Sequence, residues 1–317
     1  MPVSHRQKAI RSKLVFGLAN VALLYVFYRW VTDNIDMSRL QHSLWQIPAY
    51  AVLLSVAVNL SALALYGIRM KMLLRRGFLE SFAVINIGYS LNTLIPLRLG
   101  EIMKICLCHK LYTLPVTEIV AASVAEKLFD LLKLLLLGGV LVVLAAGKFL
   151  PGGLLPSLAL FLAATAAAIF VLRYKVVVII RMIPKKSRLR RIAISLHRHS
   201  GGYPLARVFF VSLAIWVMNV LLIYAAFNTL ITGIRIDFSD AIALLLIISL
   251  AIATPSAPAG IGLFEAGLVA YLTQVLHVDT EMALAAAVMF HLAITVPQML
   301  LTGVLVFVSR KRLCLPL

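Results

Sequence analysis

NTLIPLRLGE, residues 92–101, and TPSAPAGIGLFE, residues 254–265, each interrupt an apolar stretch with proline, glycine and charge. In both, a glutamate follows the glycine that closes the break. Lipid cannot hydrogen-bond loose backbone, so non-helical chain at membrane depth persists only where protein or a water-filled cavity surrounds it. Paired breaks in corresponding places of two halves of a membrane chain point to its binding centre.

The surrounding sequence supports a membrane setting. Of 317 residues, 62% are hydrophobic and 13% charged, and the mean hydropathy is +1.00, which excludes an ordinary soluble domain. The expectation is an all-α polytopic membrane protein, a single membrane domain over 1–317. The formal net charge of +18 sits mainly in short segments between apolar runs, where Lys and Arg set topology and meet anionic headgroups. The partners expected are therefore membrane lipids with anionic or polar headgroups, and no nucleic acid; a homo-oligomer is compatible with the sequence. Cys106, Cys108 and Cys314 lack zinc spacing and CxxC spacing, so neither a disulfide nor a metal is expected, and no cofactor is implied. The basic N-terminus and the apolar run 14–31 resemble a signal peptide, but the run is long and lacks a small-residue cleavage site, so it reads as a retained span.

Apolar segments fall near 14–32, 48–68, 82–97, 117–146, 154–172, 208–231, 241–275 and 282–308. Lys and Arg crowd the N-terminus, the 69–76 loop, the 173–207 segment and the C-terminus, which places all four on the cytoplasmic side. The loops holding Asp33 and Asp36, Lys148, Asp237 and Asp240, and Asp279 and Glu281 belong outside. If 117–146 crosses once, the broken stretch 82–113 leaves from and returns to the cytoplasmic side, and 241–275 does so on the outer side. Two broken hairpins of opposite orientation are the mark of an inverted repeat. The sequence thus predicts about six full spans plus two broken or re-entrant hairpins. The first half covers 1–172, the second 208–317, and a basic cytoplasmic connector, 173–207, lies between; short full crossings in place of hairpins satisfy the same parity. The predicted location is a plasma (inner) membrane, with both termini cytoplasmic.

Charge inside apolar runs is costly, about 2.5–3.5 kcal/mol per residue on insertion scales, and is usually paired or functional. Glu101, Glu126, Asp130 and Glu265 stand in such contexts, with Arg98, Lys104, Lys127 and Lys133. Glu126, Asp130 and Lys133 share one helical face within roughly a 60° arc. They form either a packing salt-bridge cluster or a wall for a headgroup or coupling ion. In the first break Pro96 and Gly100 bracket Arg98, exposing amides near a helix start beside an arginine, a natural site for phosphate or carboxylate. Pro255, Pro258, Gly260 and Gly262 crowd the second break before Glu265, a density no ordinary helix tolerates. His291, Asn59, Asn86 and Asn219 read as interhelical hydrogen-bonding residues, Trp30 and Trp45 as interfacial anchors, and Gly138 and Gly139 as close packing positions.

Taken in order, Asn92, Pro96, Arg98, Gly100 and Glu101, then Glu126, Lys127 and Asp130, then Pro255, Pro258, Gly260, Gly262 and Glu265 resemble the transmembrane domain of lysylphosphatidylglycerol synthases and the stand-alone flippase-like proteins grouped with it. The resemblance covers nearly the whole chain. It implies a fold with two re-entrant elements and a role in binding or moving polar-headgroup lipids across a plasma membrane. Two departures stand out: lysine at 104 and 127 where the family pattern often has arginine, and no acyltransferase-like domain after Arg312, so lipid aminoacylation by this chain is not expected.

The leading expectation is a lipid translocase in which a cavity between the hairpins holds an anionic headgroup against Arg98, Lys104 and Lys127. Asn92 lies beside it, and Glu101, Glu126, Asp130 and Glu265 pair the cations or carry protons. The sequence has no Walker A motif. An integral-membrane enzyme acting on a lipid or polyprenyl phosphate is the alternative, and it lacks a serine or histidine nucleophile beside a base in either break; the chain is therefore not expected to be an enzyme. A non-catalytic accessory protein of envelope glycolipid assembly is the third reading.

Overall fold

The computed structural model describes residues 21–22, 24–94, 99–112, 115–149, 203–231, 233–253 and 260–313, and all regular structure among them is helical. Pro96, Arg98, Pro255, Pro258, Cys314 and nearly all of the 173–207 connector lie outside the described residues.

A helical segment through 24–34 leads to a short amphipathic helix, α1 (Met37–Gln46). Asp36 caps α1 by accepting the Ser38 and Arg39 N–H groups, the preferred role of aspartate at this position. The Ser38 hydroxyl and these two amides hold the Asp36 carboxyl below its ordinary range. Pro48 opens α2 (Ala49–Leu74), which ends where Arg75 turns left-handed at φ 54°. The basic 69–76 stretch, expected as a loop, is therefore helix through Leu74.

The first broken stretch forms α3 (Phe78–Leu94) and α4 (Leu99–Tyr112), followed by the long α5 (Val116–Phe149). After α6 (Tyr203–Leu230), the second forms α7 (Phe238–Ala253) and α8 (Leu263–Gln274), and α9 (Thr280–Leu313) closes the fold. Asp237 and Asp240 cap α7 reciprocally, each side chain accepting the other's N–H at 2.9 and 2.8 Å. Both breaks thus fall between paired helices.

Among the described residues two large packed regions result, with a small third cluster of Leu132, Ile215 and Trp216. Helices α6, α7, α8 and α9 enclose one core around Phe227, Leu244, Phe264, Leu268 and Phe290. The C-terminal half of α2 with α3, α4 and α5 encloses the other around Met70, Ile85, Leu107 and Ile119. Helix α9 packs against both, through α8 on one side and α2 and α3 on the other.

Among the described residues, three helices are long and apolar enough to cross a membrane: Ala49–Leu74, Arg207–Leu230 and Thr280–Val308. Their outer surfaces suit lipid. On α9, Leu292, Val296, Leu300, Val304 and Phe307 are exposed and recur at helical spacing on one side. His291, Gln298 and Thr302 occupy the opposite side and make the internal contacts. An uninterrupted exposed apolar stripe opposite a polar inner face is the pattern of a membrane helix, not of a solvated one.

Candidate functional site

Six charged side chains from three helices form one alternating row. Arg69 on α2 donates to Asp130 Oδ1 at 2.8 Å and to Glu126 Oε1 at 3.3 Å. The same Glu126 oxygen accepts from Tyr89 OH at 2.9 Å. Its partner oxygen accepts from Lys104 Nζ at 2.8 Å. Lys104 also reaches Glu101 at 2.8 Å, and the other Glu101 oxygen pairs with Lys127 at 2.8 Å. The order is Asp130, Arg69, Glu126, Lys104, Glu101, Lys127, so formal charge cancels along the row. Arg69, Lys104 and Glu126 are each 1% exposed. The ends are more open: Asp130 is 25% exposed and Lys127 48%. A buried charge is tolerable only when paired and hydrogen-bonded, and the closed middle of the row meets both conditions.

Close helix packing makes the row geometrically feasible. A Cβ on Gly100 would stand 2.2 Å from the Gly88 carbonyl oxygen and 2.5 Å from the Asn92 nitrogen, so only glycine lets α4 press onto α3 here. One turn on, the Lys104 stem lies across Gly88, where an added Cβ would meet Lys104 Cβ at 3.0 Å. That contact carries the Lys104 ammonium past α3 to Glu126. On α2, Ala62, Tyr66, Arg69, Met70 and Leu73 continue one inward stripe. The Arg69 guanidinium lies 5.1 Å from the Tyr66 ring centroid, and the Tyr66 and Tyr89 rings meet edge to face at 5.4 Å. Tyr66 OH in turn accepts from Asn219 of α6 at 3.2 Å.

The second hairpin has its own polar centre. Gly262 caps α8 at φ 88°, a conformation that favours glycine, and its N–H donates to Glu265 Oε2 at 2.7 Å. The other Glu265 oxygen is hydrogen-bonded to His291 Nδ1 on α9, whose ring stacks on Phe264 at 4.1 Å. Glu265 and His291 are both buried. Seven residues further along α9, about 10 Å at 1.5 Å per residue, the Gln298 carbonyl accepts from Ser90 of α3, which also bonds the Thr302 hydroxyl at 2.7 Å. Between them Pro297 interrupts α9 hydrogen bonding, and Asn59 donates to the Ile294 carbonyl at 3.0 Å. One face of α9 therefore receives both hairpins.

Of the residues singled out from sequence, Glu101, Lys104, Glu126, Lys127 and Asp130 come together in the row. Glu265 stands apart, bonded to Gly262 and His291. Asn92 is half-buried beneath Gly100, its Oδ1 buried without a partner. Arg98 is outside the described residues. Lys104, expected to face a headgroup with acids pairing it, is enclosed by the Glu101 and Glu126 carboxylates. Lys133 is buried at 8% exposure on the Glu126 face, and among the described residues no acid lies within ion-pairing distance. Asn59, Asn219 and His291 make the expected interhelical bonds, whereas Asn86 bonds Phe82 within its own helix. Gly138 faces open space rather than a packed neighbour. An open cleft of about 600 Å³ between α1 and the start of α9, bordered by Arg39, His42, Gln46, Asp279 and Glu281, contains none of the singled-out residues.

Arg69 was the residue sequence reading missed. It lies in a run of basic residues that ends a span, and such runs usually face the cytoplasm. The available signal was register: Arg69 falls on the apolar stripe of α2, whereas Lys71 falls off it.

The family of the lysylphosphatidylglycerol synthase TM region matches residues 14–302. The chain belongs to this family. No curated protein matches the sequence. Membership together with the membrane helices makes the chain an integral membrane protein related to lipid metabolism. As in the broken stretches that suggested the family, the residues of the match include both Gly100–Glu101 and Gly262–Glu265.

Proposed function

We propose that this family member is a lipid translocase that binds the polar or anionic headgroup of a membrane lipid and moves it across a plasma membrane, without enzymatic chemistry of its own. One observation carries the reading: a row of six charges runs from a closed, fully paired centre to a half-exposed end at Glu101 and Lys127, within a domain whose outer faces are apolar. A purely structural ion cluster has no need of an accessible cationic end. A headgroup phosphate arriving at Lys127 competes with Glu101 for the ammonium, and Arg98, next to the start of α4, supplies a second cation. Because Glu101 also holds Lys104, displacement at the open end reaches Glu126 and Arg69 through shared partners.

An inverted arrangement of the two hairpins is part of the same proposal. The α8 contact on α9 at His291 lies toward the α9 start, and the α3 contacts at Gln298 and Thr302 lie toward its end. Hairpins inserted from opposite faces and converging on one helix suit alternating access. The test uses protein in liposomes with a fluorescent anionic phospholipid, following its accessibility to a membrane-impermeant quencher. Faster movement than in protein-free liposomes, slowed by Arg98→Ala and Lys127→Ala, is expected; equal rates with and without protein refute the proposal.

A further inference from the structure

Beyond the row, six buried side-chain polar atoms among the described residues have no hydrogen-bond partner, at Ser81, Asn86 and Asn92 of α3, Ser123 of α5, and Ser212 and Trp216 of α6 where it meets α5. Lys133 is 8% exposed, Trp216 3% and Ser212 0%. The Trp216 indole nitrogen and the Ser212 hydroxyl have no hydrogen-bond partner, and Lys133 has no acid within reach among the described residues. Leu132 packs in one cluster with Ile215 and Trp216, with Leu136 and Tyr66 against it, so the stretches carrying these groups are in contact. Ser212, Trp216 and Asn219 recur at i, i+4 and i+7 on α6, one inward face.

The chemistry of the set is one-sided. An ammonium and an indole N–H donate and cannot accept, and a hydroxyl is free to donate. In a bilayer interior an unmatched donor is expensive, and Ser212 and Trp216 place two of them on one face of α6. The six-charge row does not offset Lys133, because its own charges cancel. What satisfies such a set is an acceptor-rich anion.

We propose that Lys133, Ser212 and Trp216 form an oxyanion subsite that takes the phosphate group of the transported lipid at an inner stage of its passage. The subsite rests on the translocase reading, and it lies one to two helical turns along α5 from the row, about 4.5 Å beyond Asp130 and 10 Å beyond Glu126. Phosphate oxygens supply the missing acceptors, and Lys133 the opposite charge. A lipid phosphodiester and free inorganic phosphate share this chemistry.

The test uses full-length protein in detergent with Trp30→Phe and Trp45→Phe, leaving Trp216 as the reporter. Dihexanoyl-phosphatidylglycerol, inorganic phosphate and uncharged dihexanoylglycerol are titrated separately. A saturable Trp216 signal with the phosphatidylglycerol but not with dihexanoylglycerol is expected, weakened at least about tenfold by Lys133→Gln and restored by Lys133→Arg. The same dependence on Lys133 with phosphate alone assigns the subsite to the free anion. No signal with either anion, or Lys133→Gln titrating like the parent, overturns the subsite. Lys133→Met provides a control for folding: removing an unpaired buried charge raises the melting temperature, and a lowered one reveals a structural partner and overturns the proposal. Liposome transport separates the two ideas. Transport unaffected by Lys133→Gln, with no anion signal, removes the subsite and keeps the translocase; anion binding without any transport keeps the subsite and removes the translocase.

Discussion

Glu126→Gln tests whether the charge row holds the first hairpin in place. The carboxylate is 1% exposed and accepts from Arg69, Lys104 and Tyr89. The amide keeps the size but removes the charge, and turns an NH2 toward one of three donors, the closest of them 2.8 Å away. The row changes from balanced to one buried positive charge in excess. Breaking a buried pair by removing one partner costs about 3–5 kcal/mol. At roughly 2 °C per kcal/mol for a chain of this size, the melting temperature falls by about 6–10 °C. The assay is thermal unfolding of purified protein in one detergent, followed by loss of the monodisperse peak. Lys104→Met, measured alone and with Glu126→Gln, completes the cycle: the double variant should be less destabilised than the sum by at least about 1 kcal/mol, because the second change removes a charge the first left unpaired. A single-variant drop below about 2 °C, or additivity within about 0.5 kcal/mol, refutes the row as a coupled unit.

Gly100→Ala places a methyl 2.2 Å from the Gly88 carbonyl, and forced overpacking costs about 1–3 kcal/mol or more; expression falls and amide exchange in α3 and α4 rises, whereas Gly138→Ala, which meets nothing within 4 Å, changes the melting temperature by less than about 1 °C. Asp130→Asn, which keeps an acceptor for Arg69 at a partly exposed position, costs less than Glu126→Gln, about 1–2 kcal/mol by the same melt. The Asp36 carboxyl titrates below its unfolded value, so its capping contribution is complete above about pH 4 and is lost as pH falls through the lower folded value; amide protection of residues 37–40, corrected for intrinsic exchange, is level from pH 5 to 8, decreases at pH 3, and is lost at pH 7 in Asp36→Ala. In a background without native cysteines, Gly77→Cys and Pro115→Cys label from one side of the membrane and Ser239→Cys and Asp279→Cys from the other; all four labelling from one side would falsify the opposed hairpins.

The breaks and the acids near them were legible because the bilayer makes both conspicuous. Proline and glycine clusters stop helices whatever surrounds them, and a carboxylate in an apolar run has few tolerable environments. Helical spacing likewise placed Glu126 and Asp130 on one face, and both turn out to hold Arg69. What spacing within a helix cannot supply is the partner across the gap. Arg69 is 57 residues from Glu126, and its basic neighbours made it resemble a topogenic charge. Lys104 was legible as a cation with acids available to pair it, but not as one enclosed between Glu101 and Glu126, since that depends on Gly88 and Gly100 drawing α4 against α3.

The same reasoning separates the two glutamates that first looked equivalent. Glu101 and Glu265 each follow a helix-breaking glycine, yet Glu101 joins two lysines and Glu265 joins a backbone amide and a histidine. Glu101 therefore shares its cation at the open end of the row, where the proposed headgroup would compete with it. Glu265 fixes the start of α8 to α9, and among the described residues its only cationic partner would be a protonated His291. If one hairpin engages the headgroup directly, the charge arrangement favours the first. The second anchors to α9 at His291, seven residues from the Gln298 carbonyl that receives Ser90 of the first hairpin. A shift of α9 transmits directly to both hairpins, whereas contact between the hairpin tips is not required for them to respond together.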